Sequence, residues 1–208
     1  MRNATLRGLL SLAQTRDADT GNHLRRSQHY VRALATQLRD HPKFAAVLAG
    51  DNIEIIAACA QLHDIGKVGI PDRILNKPGA YGPDEFDAMK RHTVLGRDTL
   101  RDMQAATADS SHFFDLAGEL TYSHHEKWDG SGYPLGLAGE AIPLAARLMT
   151  LADVYDSLIS ARVYKAGQSH DKVLAMIVQA RGTHFDPDVV DAFLACASEF
   201  QRISDGFA

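Results

Sequence analysis

Ten histidines occur in this 208-residue chain, and the informative ones stand close to carboxylates. His63 and Asp64 are adjacent at the C-terminal end of an apolar run that begins at Ile53, and Asp153 is set among Leu151, Ala152 and Val154 in a second apolar run. A carboxylate near a core is costly unless it is paired or binds a cation. Both aspartates therefore need something positive, and one metal ion would serve both. His23, His92 and the adjacent His124 and His125 add nitrogen donors. One histidine alone is more often a satisfied core or surface group than a ligand; the joint set is what points to metal.

Successive residues of a helix diverge by about 100°, so His124 and His125 are expected to serve different ions, which implies more than one metal. Asp19 and His23 are four residues apart, as are His63 and Lys67, so each pair shares a face wherever the backbone is helical. Lys67 would then point toward the ions without being a ligand. Nitrogen and oxygen donors without a thiolate favour iron, manganese, nickel, cobalt or zinc over a soft metal or calcium.

The elements that must position these groups read as helices, because no stretch alternates apolar and polar residues long enough to make a strand. Leu6, Leu9, Leu10 and Ala13 form a first stripe, followed by a junction at residues 17–21. An amphipathic helix over residues 22–38 turns Tyr30, Leu34 and Leu38 to one face. Residues 53–65 predict a strongly apolar central helix, stopped by Gly66, Gly69 and Pro71. Pro83-Asp84-Glu85 has the chemistry of a first turn, opening a helix that carries Met89, His92 and Leu95 past Gly96. A helix over residues 112–125 leads into a loop of turn formers at residues 128–136. Pro143 opens the next helix, through Leu148, Leu151, Val154 and Leu158. Ser169 caps another that Gly182 closes, and Asp186-Pro187 starts the last, with Val189, Val190, Phe193 and Leu194 facing the core. The expected class is all-α, with the chemistry at helix ends and in one glycine-rich loop.

Composition sets limits on function. A formal charge of −4 argues against binding a polymeric nucleic acid, which depends on a broad excess of Lys and Arg. Cys59 and Cys196 form no CxxC pair and are expected as buried thiols in a reducing compartment. The longest apolar stretch is too short to span a bilayer, and the N-terminus has no signal-peptide pattern. The reading is a cytoplasmic, single domain over residues 1–208. No internal repeat or linker divides it.

The order His23, His63-Asp64, His92, His124-His125, Asp153 resembles the HD-domain phosphohydrolases. Two strings narrow the resemblance to the HD-GYP family of cyclic di-GMP phosphodiesterases: His63-Asp64-Ile65-Gly66-Lys67-Val68-Gly69-Ile70-Pro71-Asp72 and His124-His125-Glu126-Lys127-Trp128-Asp129-Gly130-Ser131-Gly132-Tyr133-Pro134. The similarity runs from Thr15-Arg16-Asp17 to Phe185-Asp186-Pro187. It implies an HD-domain helical bundle with additional N- and C-terminal helices. It also implies one ion on His23, His63, Asp64 and Asp153, and a second on Asp64, His92 and His124, bridged by Asp64. Some members hold a third ion through a glutamate four residues before the first histidine together with the residue matching His125. Here Asp19 stands at that position with a side chain one methylene shorter, which favours two divalent ions over three. Arg162 and Lys165 match positions that contact substrate phosphate in the family.

Two ions would generate hydroxide from a bridging water and neutralise charge on the phosphoryl and leaving oxygens. Lys67 fits as an electrostatic stabiliser at the scissile phosphate. Cutting one phosphodiester of cyclic di-GMP gives pGpG, and a second cut gives GMP. Tyr133 is expected to shape the substrate mouth, and the resemblance adds GGDEF-domain proteins as partners of the loop. Residues 16–23 resemble members that follow receiver domains, so residues 1–18 would form a helix continuing from such a regulatory domain, and homodimerisation stays open. The rival readings are an HD hydrolase of another nucleotide and a catalytically weak cyclic di-GMP sensor or GGDEF-binding adaptor.

Overall fold

A computed structural model describes residues 21–107, 112–160 and 167–207. The Leu6 to Ala13 stripe, Asp19, Arg162 and Lys165 lie outside the described residues, which form helices and 3-10 turns without a strand. In chain order the helices are α1 Gly21–Gln37, α2 Asn52–Cys59, α3 Asp72–Leu75, α4 Pro83–Thr107, α5 His112–Ser123, α6 Leu144–Ile159, α7 His170–Gln179, α8 Pro187–Ala195 and α9 Ala197–Gly206. None of them is long and apolar enough to cross a membrane.

The apolar faces meet as their spacing predicts. Tyr30, Val31 and Leu34 of α1, Ile53 and Ile56 of α2, Ala117 and Leu120 of α5, and Leu148, Leu151 and Tyr155 of α6 share one buried cluster. Each fully buried aliphatic or aromatic side chain contributes roughly 1.5–3 kcal/mol relative to exposure. A smaller cluster of Ile70, Ile74 and Met89 fastens α3 to the first half of α4.

Leu194 of α8, expected to face the core, is 41% exposed, and three further expectations need correction. The apolar segment at residues 53–65 is not one α-helix. It tightens after Cys59 into a 3-10 turn at Ala60–Leu62 and leaves helical geometry at Asp64, with φ −103° and ψ 11°, before a second 3-10 segment at Ile65–Gly69. The helix that Asp186 opens is not the last. Asp186 does cap it, accepting a hydrogen bond from the Asp188 N–H at 2.8 Å, but the chain bends at Cys196, φ −117° and ψ 21°, and continues as α9. From α9, Phe200 stacks on Tyr30 at 4.5 Å and meets Tyr155 and Phe193 edge-on at 4.9 Å. Finally, Cys59 is a buried free thiol, but Cys196, at that bend, is only partly buried.

Glycine permits close approach between the segments that carry the donors. A Cβ on Gly66 would lie 2.0 Å from the His92 carbonyl oxygen, and one on Gly96 would lie 2.5 Å from Thr121 Cγ2. The turn after His63-Asp64 is therefore seated directly on α4, which in turn is seated on α5.

Candidate metal centre

Five segments converge on one centre. His23 lies in the first turn of α1; His63 and Asp64 lie between the two 3-10 turns; His92 lies midway along α4; His124 and His125 follow the end of α5; Asp153 lies on α6. The departure of Asp64 from helical geometry lets both members of the His63-Asp64 pair reach the centre, with His63 Nε2 3.1 Å from Asp64 Oδ2.

The donor atoms fall into two groups, each with its atoms within 4.8 Å of one another: His23, His63 and Asp153, and Asp64, His92, His124 and His125. In the first, His23 Nε2 and His63 Nε2 are 3.5 Å apart, and Asp153 Oδ1 stands 3.7 and 3.9 Å from them. In the second, His92 Nε2 and His124 Nε2 are 3.5 Å apart, and Asp64 Oδ1 stands 3.3 and 3.8 Å from them. Asp64 thus turns one oxygen to each group.

The rings are held in one tautomeric sense. His63, His92 and His124 direct Nδ1 at the carbonyl oxygens of Ala60, Met89 and Thr121, at 2.9, 2.8 and 2.9 Å. A carbonyl oxygen only accepts, so each Nδ1 carries the proton and each Nε2 is free to donate its lone pair to a cation. Asp64 Oδ1 is buried and without a hydrogen-bond donor, although two imidazole lone pairs face it. A buried unpaired acceptor is costly, and a cation between these groups removes the cost. The donor set and this orphaned oxygen both fit divalent transition-metal ions.

The charges agree. Burial raises the Asp64 carboxyl, but the ammonium of Lys67 and the His63 imidazole outweigh it and hold the group well below the usual carboxylate range. Burial lowers His63, yet the neighbouring Asp64 carboxylate, with Asp153, reverses this and pushes the imidazole up to about 9. Where no metal sits between them, a proton does this work. Burial drives His92 down, His124 well down, and His125 down to about 4. These three rings are neutral near pH 7, as ligands must be.

Two readings from spacing change. His124 and His125 lie beyond the end of α5, so helical divergence does not separate them. Their ring centroids are 4.0 Å apart and both belong to the group around Asp64. Lys67 does not share a helical face with His63; it lies one 3-10 turn beyond Asp64 and places Nζ 2.7 Å from Asp64 Oδ2. Tyr133 is brought to the centre, its ring 4.8 Å from that of His125 and 6.0 Å from that of Phe86.

The sequence reading missed the groups behind the donors. Asp156, only 1% exposed, takes His23 Nδ1 on Oδ2 at 2.7 Å and is itself gripped by Arg26, Nε to Oδ1 at 2.6 Å and Nη2 to Oδ2 at 2.9 Å. The signal was present: Asp156 is a second carboxylate in the same apolar helix as Asp153. Thr121 and Thr150 were also missed. Their hydroxyls donate to the Leu62 carbonyl at 3.2 Å and the His124 carbonyl at 2.8 Å, tying the ligand-bearing turns together. Glu126, equally buried, accepts the Leu135 and Leu137 N–H groups at 2.7 and 3.0 Å and folds the glycine-rich loop back on itself.

Known proteins are similar to this chain in sequence and in fold. A Vibrio cholerae protein named probable cyclic di-GMP phosphodiesterase is 52% identical over all of this chain, which covers 47% of that protein. The cyclic di-GMP phosphodiesterase response regulator RpfG of Xanthomonas campestris is 40% identical over 98% of this chain and 50% of its own length. The chain thus spans about half the length of the curated relatives it matches. A solved structure of a V. cholerae phosphodiesterase described as specific for cyclic GMP-AMP superposes with a TM-score of 0.66 at 21% identity, over 96% of this chain and 50% of that one, which shows the fold. With the HD domain model matching residues 11–189, the chain belongs to the HD domain family, and its two motif strings are of the HD-GYP pattern.

Proposed function

We propose that this chain is a metal-dependent phosphodiesterase that hydrolyses cyclic di-GMP, using two divalent ions held by His23, His63, Asp64 and Asp153 and by Asp64, His92, His124 and His125. The observation that carries the reading is the pair of Asp64 oxygens, each turned to its own histidine group. A shared carboxylate between two donor sets suits a two-ion hydrolase, because it can hold two ions near each other. When bound, such ions supply a hydroxide nucleophile near neutral pH and neutralise the phosphoryl and leaving oxygens.

The chain's own groups do the rest. Lys67 fixes the bridging carboxylate and brings positive charge to the place where a phosphoryl oxygen gathers negative charge. Backbone acceptors hold the imidazoles aimed and burial keeps His92, His124 and His125 neutral, so little reorganisation accompanies reaction. Tyr133, against His125, closes one side of the mouth. Arg162 and Lys165 match positions that contact substrate phosphate in the family, and the same role is proposed for them here. The choice of cyclic di-GMP follows the names of the V. cholerae and X. campestris relatives at 52% and 40% identity.

Metal-reconstituted protein incubated with cyclic di-GMP should release pGpG or GMP, and Asp64→Ala should release neither. A protein carrying two ions that leaves cyclic di-GMP intact would refute the substrate. Turnover of cyclic GMP-AMP in the same assay would identify the other cyclic dinucleotide as the target.

A further inference from the structure

The two donor groups are braced in chemically different ways. In the group around Asp64, His92 and His124 lean on neutral backbone carbonyls, and the ring of His125 packs against Tyr133. In the other group, His23 leans on a carboxylate, Asp156, at 2.7 Å. Arg26 fixes that carboxylate through both its oxygens and also donates to Ser160 Oγ at 3.0 Å. Arg26 follows His23 by one turn of α1 and Asp156 follows Asp153 by one turn of α6, so the Arg26–Asp156 pair locks together the helices that supply His23 and Asp153. The same group has Asp153 beside the shared Asp64, whereas the group around Asp64 has no second carboxylate among the described residues.

Resting on the two-ion reading, we propose that the two ion positions are inequivalent. Asp156 is a positioning residue that makes the position of His23, His63 and Asp153 the tighter and first filled. The position of His92, His124 and His125 is the weaker and last filled. Two physical effects lead there. A second carboxylate adds direct charge attraction for a divalent cation. A histidine whose far nitrogen donates to a fixed carboxylate is both a stronger donor and already oriented, so less freedom is lost when an ion arrives. Arg26 neutralises most of the Asp156 charge, so Asp156 acts chiefly by aiming His23.

The test is titration of metal-free protein with Mn2+, followed by calorimetry and by electron paramagnetic resonance, which separates an isolated ion from a coupled pair. The wild type should bind in two steps, with an isolated-ion signal after one equivalent that is lost to coupling after two. Asp156→Asn should weaken the first step about 10- to 100-fold and leave the second in place. His92→Ala should remove the second and keep the first. Arg26→Lys, which keeps the charge but gives up the fork, should weaken the first step in the same direction, and it decides the matter if Asp156→Asn does not fold. Two equal steps in the wild type, equal weakening of both steps by Asp156→Asn, or loss of the tight step in His92→Ala would each overturn the proposal. Uptake of fewer than two ions by the wild type would instead sink the two-ion reading beneath it.

Discussion

At the scale of single residues, Lys67 and Asp64 must be considered together. Their contact of 2.7 Å leaves two roles for the ammonium: holding the bridging carboxylate in place, or stabilising charge that develops on the substrate. The first role would show as loss of metal, the second as loss of turnover with metal retained. Because Asp64 is also held by its own backbone turn and by His63, the second is expected to dominate. Lys67→Ala should keep its ion content by elemental analysis while kcat falls about 100-fold or more, the magnitude for removing one preorganised electrostatic contact. The donors themselves were legible in the sequence, since a carboxylate in an apolar run advertises an unmet need for positive charge. Asp156 escaped because its partner Arg26 lies 130 residues away, and Lys67 reaches the centre as expected but from a 3-10 turn, because one residue, Asp64, steps out of helical geometry.

At the scale of elements, the site depends on how closely the turn at Ile65–Gly69 sits on α4. Gly66 allows that contact, and the atom a methyl group would strike is the His92 carbonyl oxygen at 2.0 Å. Backbone cannot give way as a flexible side chain does. Gly66→Ala should therefore cost about 1–3 kcal/mol, as overpacking does, and should also displace His92 from Asp64. Urea unfolding and metal counting together check this, and a variant of normal stability with two ions would show that the turn is free to shift. Helix starts were well marked by Pro83, Ser169 and Asp186-Pro187. The tightening after Cys59 and the bend at Cys196 were not, because neither carries Gly or Pro.

At the scale of the whole molecule, an aromatic knot and the metal centre are expected to stabilise the fold independently. Phe200 joins α9 to α1, α6 and α8 through Tyr30, Tyr155 and Phe193, so truncating it opens a cavity where several helices meet. The metal centre joins α1, the 3-10 turns, α4, the end of α5 and α6, and Asp64 Oδ1 is buried there without a hydrogen-bond donor. An ion that binds only the folded chain stabilises it by mass action, about 2.7 kcal/mol at a concentration 100 times Kd. Phe200→Ala should cost about 3–5 kcal/mol in the metal-free and metal-loaded protein alike, because the knot contains no donor residue. Metal should then raise the melting temperature of wild type and Phe200→Ala in the same direction, whereas Asp64→Ala should respond little. A metal-induced increment that disappears in Phe200→Ala would mean that the knot and the centre are one cooperative structure, with α1 and α6 transmitting packing defects directly to the ligands.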